Sequence, residues 1–579
     1  MAQVSSPNAP RPRPAPVSRV LLTALLLAIA ALWALHWVHL QADFPNNSPW
    51  MDYSKYTDEG WYGKAAIAQT LFGHWRVPGD LNTAVALPVW PALEWLAFRL
   101  AGVSADTARA LALLVFAADL ALAYAVLRAA RSTRVAAASG VLLLAGSMYL
   151  WCFSRLAILE PLLALWILAG WWLALRLPGL GVWLAGGPPV IPLATPTANY
   201  AAVSPASPLA PASLPQTLAS RLTGQPLAGA SGLRDTPELP PQHRTLALCA
   251  IGLLGCLAVL TKTTALFLLP ATAAIIAAAA GWQLRRTLRD LAIATAAGVL
   301  PWLAYYVLVA RRYLVDFRYF FAANHWPPPV GVRAHLLAYW NAVHDLIWVG
   351  PNQVLVTTML LVLALWLAPG FRRHPLLQAS VLSSAGLIVF MGWHNSPQPR
   401  YYIVLAYPVV FVAILAIEAL LRNPGRRHRV LAGMGIAALA LVFLRDSYGS
   451  LWYARHPEYT LRDAATALTR YIDTHPTQGR RLLLSISGDE ITLITHLPAV
   501  CDDFGSDPLP DRIRRYQPGW YAAWNEVDPG TLEDIQSAGY SIQPVAHWHA
   551  FDDEDRDDLI LYRMLPATHP APAVTEPQP

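Results

Sequence analysis

About eleven stretches of this chain are each roughly 20 mostly apolar residues long, which decides the solvent it folds in. They run near 19–40, 105–127, 135–153, 156–175, 245–261, 263–283, 290–310, 353–369, 375–393, 401–421 and 429–444. A helix of that length crosses a bilayer with its backbone N–H and C=O groups bonded internally, so lipid costs it nothing. Composition agrees: 55% of the residues are hydrophobic and 13% are charged, against roughly 25% charged in soluble proteins. The expected fold is a polytopic α-helical membrane protein of about eleven transmembrane helices. Arg11, Arg13 and Arg19 flank the first run and no A-x-A signal follows it, so it reads as an uncleaved anchor rather than a signal peptide.

Arginines orient the helices. With residues 1–18 as a cytoplasmic tail, the cytoplasmic connections carry Arg128, Arg131 and Arg134, then Arg285, Arg286 and Arg289, then Arg372 and Arg373, then Arg422, Arg426, Arg427 and Arg429. The other side has single bases between helices (Arg155, Lys262, Arg400) and two longer loops, 41–104 and 311–350. The tail from 446 falls on that side too. It holds 21 of the 36 acids but 10 of the 42 bases, so a basic membrane part joins an acidic soluble part. These bases orient loops and do not point to nucleic acid. Residues 177–244, rich in Pro, Ala, Ser and Gly, have too little apolar periodicity for a core and read as a disordered cytoplasmic insertion. In the tail, helices are expected over 459–473 and 530–538, and strands over 482–486, 491–500 and 559–564. That pattern makes 446–566 a small extracytoplasmic α/β domain, with 567–579 a loose end.

Four places on the outer side could carry chemistry. Asp58 and Glu59 are adjacent carboxylates in Tyr56-Thr57-Asp58-Glu59-Gly60-Trp61-Tyr62. The plainer reading makes them a solvated helix start, with Thr57 or Asp58 as N-cap. Glu160 lies one turn inside an apolar helix that Ser154-Arg155 precedes, and an acid there costs several kcal/mol unless it is paired. Arg155 is its nearest candidate partner. Lys262 interrupts two apolar runs in a chain with three lysines (Lys55, Lys64, Lys262) and 39 arginines; its plainer role is to snorkel to the interface. Arg400, in Gln398-Pro399-Arg400-Tyr401-Tyr402, offers a planar guanidinium to phosphate, or anchors the helix with its tyrosines. Cys152, Cys249, Cys256 and Cys501 have no metal-ligand spacing, nor do the external His74, His325, His344 and His394.

In order and spacing, these residues resemble the GT-C glycosyltransferases, specifically the bacterial branch related to protein O-mannosyltransferases and lipid A aminoarabinose transferases. The resemblance covers most of 19–445. It rests on Asp58-Glu59 after the first helix, Arg155 with Glu160, Thr261-Lys262, and Arg400-Tyr401-Tyr402 with the later Pro408. Pro88-Val89-Trp90-Pro91, Ala101-Gly102 and Ala108-Arg109-Ala110-Leu111 extend it along the path into the second helix. It implies a membrane glycosyltransferase at the outer face of the bacterial inner membrane, with its site and C-terminal domain periplasmic. Such enzymes move a hexose or pentose, with inversion, from a polyprenyl-phosphate sugar to a lipid, glycan or protein acceptor. Asp58 would be the base or hold the acceptor, Glu59 and Glu160 would orient groups or bind a divalent metal, and Lys262, Arg400 and Arg155 would meet the donor phosphate. No metal ligand set is singled out and the cofactor stays unknown. Where the aminoarabinose transferases have a Glu-Lys pair, this chain has Ala86-Leu87-Pro88, which points away from that donor and from lipid A. A polytopic lipid or solute transporter or flippase, with Glu160 as proton relay, is the alternative; the lack of an obvious internal repeat counts against it. A non-catalytic scaffold for envelope assembly, with the tail as its binding module, is a third reading.

Overall fold

The computed structural model describes residues 16–180 and 240–567, apart from Met51, His325, Asn395, Asp552, Glu554 and Asp555. The start of the expected N-terminal tail, most of the 177–244 insertion, the end from 568 and His325 lie outside the described residues. In chain order the helices of the larger part are α1 (Pro16–Leu35), α2 (Asp58–Phe72), α3 (Val89–Ala101), α4 (Ala105–Ala129), α5 (Arg134–Ala145), α6 (Met148–Phe153), α7 (Leu159–Leu175), α8 (Arg244–Thr261), α9 (Ala265–Ala279), α10 (Leu284–Leu308), α11 (Leu314–Ala323), α12 (Val332–His344), α13 (Pro351–Leu367), α14 (Pro375–His394), α15 (Ile403–Leu421) and α16 (Arg426–Arg455).

Among the described residues six helices are long and apolar enough to cross a membrane, or seven if α12 and α13, bent by 106° at their junction, make one span. Four shorter apolar helices (α1, α5, α7 and α9) accompany them. The chain is a multi-pass membrane protein. Helix α15 is apolar on every side and buried along almost its whole length, as a central helix must be. Helix α10 is the opposite case: Leu300, Val307 and Leu308 stay exposed, a face suited to lipid. The run 135–153, expected as one helix, breaks into α5 and α6. Ser147 Oγ accepts from Leu150 N at 3.3 Å and so starts a new helix. Gly146 sits so close to Phe443 that a Cβ there would come within 2.5 Å of the ring.

The two ends of this helical body differ in chemistry. At one, Thr133 N donates to Glu418 Oε1 at 2.8 Å and His374 Nε2 lies 3.3 Å from Ala130 O, so three arginine-bearing connections converge. Helix α4 leads from there to Arg109 at the other end, a helix roughly 37 Å long at 1.5 Å per residue. The feet of the insertion are also tied: Arg244 Nη1 donates to Pro178 O at 2.8 Å, and its Nε and Nη2 hold the buried Asp290 at 3.0 and 2.5 Å.

Helix α16 runs on to Arg455, past the membrane exit expected at 445. Beyond it come α17 (Thr460–Thr474), β1 (Arg480–Leu484), α18 (Gly488–Thr495), β2 (Ala499–Val500), α19 (Leu509–Tyr516), β3 (Pro518–Trp524), α20 (Pro529–Ser537), β4 (Tyr540–His549) and β5 (Asp558–Pro566). They build the expected small α/β unit around a five-stranded sheet of order β2-β1-β3-β5-β4. Strand β1 is parallel to β2 and β3, and β5 is antiparallel to β3 and β4. The strand expected over 491–500 is a correction: 488–495 is helix, with Ile491 and Leu493 buried, until His496 turns left-handed at φ 63°. Only Ala499 and Val500 pair as strand. Tyr56, from the first long loop, is part of this unit's core beside Leu468, Trp520 and Phe551. The soluble unit therefore folds around a piece of the membrane part.

Candidate active site

Everything at the site is organised by α2. Successive residues turn by about 100° on a helix, so positions four apart share a face. Asp58 and Tyr62 make one face, Glu59 and Gly63 a second, Gly60 and Lys64 a third. All of these except Tyr62 are buried below a tenth of their surface. A solvated helix start is thereby ruled out. Thr57 occupies the N-cap position but gives no side-chain cap.

The first face looks at the cations. Arg400 Nε lies 2.8 Å from Asp58 Oδ2, an ion pair off the line of a hydrogen bond. The same guanidinium is held from behind by Asp52: Nη1 to Oδ1 at 2.5 Å, and the Arg400 backbone N to Oδ2 at 3.0 Å. Glu160 pairs with Lys262, its Oε1 also stands 4.0 Å from Arg400 Nε, and its Oε2 has no hydrogen-bond partner. Tyr401 lies under both cations, with Lys262 Nζ 3.8 Å and the Arg400 guanidinium 4.9 Å from its ring centre. Three alternatives left open by the sequence are thus settled geometrically: Glu160's partner is Lys262 and not Arg155, Lys262 is ion-paired, and Arg400 points inward. Burial pushes the Asp58 carboxyl up to about 6; Arg400 pulls it down, Asp52 and Glu160 push it further up, and Lys262 pulls back.

Glu59 and Arg155 lie elsewhere. The Glu59 carboxylate takes Arg109 Nε at 2.9 and 3.1 Å, Arg109 Nη2 at 2.5 Å, and Ala157 N at 2.8 Å. It ties α2 to α4 and to the approach of α7. Arg155 Nη2 donates to the carbonyls of Val38 (3.0 Å) and His39, with the guanidinium 4.2 Å from the Trp151 ring centre. It closes the end of the first helix and does not join the four-residue cluster.

Beside the cluster opens a cavity of about 830 Å³, walled by apolar side chains of α8, α9, α10 and α14, among them Ile251, Leu266, Trp302 and Phe390. Tyr62, Lys262 and Tyr401 stand on its wall, so the cavity is apolar in depth and cationic at the cluster. His394 also lines it, stacked on Phe390 at 4.9 Å; His344 is exposed beside Asp345, and His74 is stacked on Phe72. Among the described residues no three His, Cys, Asp or Glu side chains converge to hold a metal, and the carboxylates of the cluster face arginine and lysine. The described residues of the cluster therefore do not fit a divalent ion.

Asp52, Asp489 and Glu490 are the members that sequence reasoning missed. Asp52 lies only six residues before Asp58, but no spacing rule links it to Arg400. Asp489 and Glu490, which reach α2 from the soluble unit, are 425 and 430 residues from their partners Lys64 and Gly60. The one available signal was a pair of acids at the start of a short segment with helical apolar spacing.

No family model matches this sequence, and no curated protein matches it either. In three dimensions the likeness is extensive. ArnT from Cupriavidus metallidurans in the apo state superposes with a TM-score of 0.57 at 14% identity, over 93% of this chain and 98% of that one. The same protein bound to undecaprenyl phosphate gives 0.56 at 13% identity, over 97% and 100%. The chain has the GT-C-like fold expected from its sequence.

Proposed function

We propose that the chain is a membrane glycosyltransferase that moves a sugar from a polyprenyl-phosphate carrier to a lipid, glycan or protein acceptor at the outer face of a bacterial inner membrane, with inversion. One observation carries the reading: the buried carboxylate of Asp58 is ion-paired with Arg400, and Lys262, which shares the Tyr401 ring with that arginine, lines an apolar cavity of about 830 Å³. An isoprenoid chain needs such a cavity and its phosphate needs such cations. The bound undecaprenyl phosphate of the ArnT structure supports the same carrier class here.

The transfer follows from the residues. The acceptor hydroxyl gives its proton to Asp58 Oδ2 while its oxygen forms the bond to the anomeric carbon. The bond from that carbon to the phosphate oxygen breaks, and the carrier leaves with the electron pair as polyprenyl phosphate. Lys262 and Arg400 offset the charge that grows on that phosphate. Glu160 and Asp52 hold the two cations in place, and Glu59 fixes α2 through Arg109. Arg155 has no part in the step.

The test is sugar transfer by the purified protein from a panel of polyprenyl-phosphate sugars, with and without acceptor. Wild-type protein is expected to release polyprenyl phosphate, and Asp58→Asn to lose about 10²–10⁴-fold in turnover while still binding carrier. Movement of intact carrier across the bilayer without sugar release would replace this reading by a flippase. A folded Asp58→Asn protein at near-normal rate would remove Asp58 as base.

A further inference from the structure

The third face of α2 belongs to the soluble unit. Glu490 Oε2 accepts from Gly60 N at 2.8 Å. That N–H is one of the first-turn donors that an α-helix leaves without an internal partner, and the usual local cap is missing because Thr57 makes none. A side chain 430 residues away supplies the cap. The approach is backbone to backbone: a Cβ on Gly60 would lie 2.2 Å from Glu490 N and 2.3 Å from Asp489 C, so only glycine fits. One turn on, Lys64 Nζ reaches Asp489 Oδ2 at 3.0 Å and Asp80 Oδ2 at 2.6 Å. Trp61 Nε1 donates to Ile486 O at 3.1 Å in a half-buried contact, and Lys55 pairs with Asp553 at 2.7 Å with both side chains buried. Glu490 itself is 1% exposed. Such a density of buried polar contacts is not needed to tether a domain. It fixes the rotation and height of one short helix, whose first residue is Asp58.

We infer that Glu490 is a positioning residue for Asp58, and that the C-terminal unit sets the candidate base by capping α2 in trans. The inference rests on the glycosyltransferase reading for its kinetic consequence, though not for its structural one. Asp58 must stand within hydrogen-bond reach of an acceptor oxygen, and misplacement by an ångström costs up to about 10²-fold in rate. A cap that holds Gly60 N holds Asp58 two residues earlier on the same turn.

The experiment uses the full-length protein and compares Glu490→Ala with Glu490→Gln. The amide oxygen of Gln still accepts from Gly60 N; Ala leaves that donor empty. Glu490→Ala is expected to lower kcat by about 10- to 100-fold with the carrier KM within about twofold, and Glu490→Gln to restore kcat to within about threefold of wild type. Hydrogen exchange gives a readout free of activity: amides of 58–64 should exchange faster in Glu490→Ala, while those of α4 and α15 keep their wild-type rates. An unchanged kcat in Glu490→Ala, equal losses in Ala and Gln, or a loss confined to KM overturns the inference. If wild-type protein transfers no sugar, the glycosyltransferase reading fails on its own, and unchanged exchange at 58–64 then decides against the cap.

Discussion

A carboxylate whose pKa lies near 6 turns into a visible pH dependence when it serves as a base. Asp58 must be ionised to take a proton, so turnover should fall about tenfold per pH unit below about 6 and level off above it. The sign follows from burial, which favours the protonated form and thereby raises the pH at which the base becomes available. A rate that stays flat from pH 5 to 8 would contradict that role. Lys262→Ala should act differently, weakening carrier binding as well as turnover, by roughly 10-fold each, because a charge-assisted contact to phosphate is lost. Part of that loss reflects Glu160, left buried without its partner, so Lys262→Ala with Glu160→Gln should recover thermal stability but not carrier affinity. Residues of this kind were readable because an isolated charge in an apolar run is costly and stands out. Glu160 and Lys262 were found that way, whereas Asp58 stood out as half of an adjacent acid pair and Arg400 as a guanidinium opening a helix. Their pairing was not readable: Arg155 is the nearer base to Glu160 in sequence, yet Lys262 holds it from 102 residues away.

At the scale of elements, long apolar helices read well and short mixed ones poorly. A run of about 20 residues admits one structure in lipid, which is why α14 and α15 begin and end within a few residues of expectation. The run 491–500 misled because its β-branched Ile and Thr favour strand while its buried positions follow a helical period. Strand β3 was invisible for the reverse reason: all seven of its residues are buried, so nothing alternates. The helix feet around 177–244 make a prediction at this scale. Arg244 bonded to Pro178 O brings the two feet together, so a short Gly/Ser linker in place of 181–239 spans them without strain. Sugar transfer by that variant is expected within a few-fold of wild type, and a folded but inactive variant would assign the insertion a role in turnover.

For the whole molecule, the arginine pattern carries a prediction about the tail. If the arginine-bearing connections are cytoplasmic, the site and the C-terminal unit share the opposite side. A reporter that works only in the periplasm, fused after Pro566, should be active; activity of a cytoplasmic reporter there would shift the helix count by one. The sign of each loop was open to inspection in the sequence, whereas the embrace between Tyr56 and the soluble unit was not, since no local pattern marks an aromatic side chain for a core assembled hundreds of residues later. That embrace also sets a timetable. Tyr56 leaves the ribosome about 500 residues before Leu561, the last side chain of its enclosure, which at 5–20 residues per second is roughly 25–100 s. Throughout that interval α2 has its ties to Arg109, Ala157 and Arg400 but lacks its contacts with the soluble unit. Pulse-labelled chains should gain full protease protection over 52–64 only once translation has finished, because the last part of the enclosure of this segment is the last part of the chain to be made.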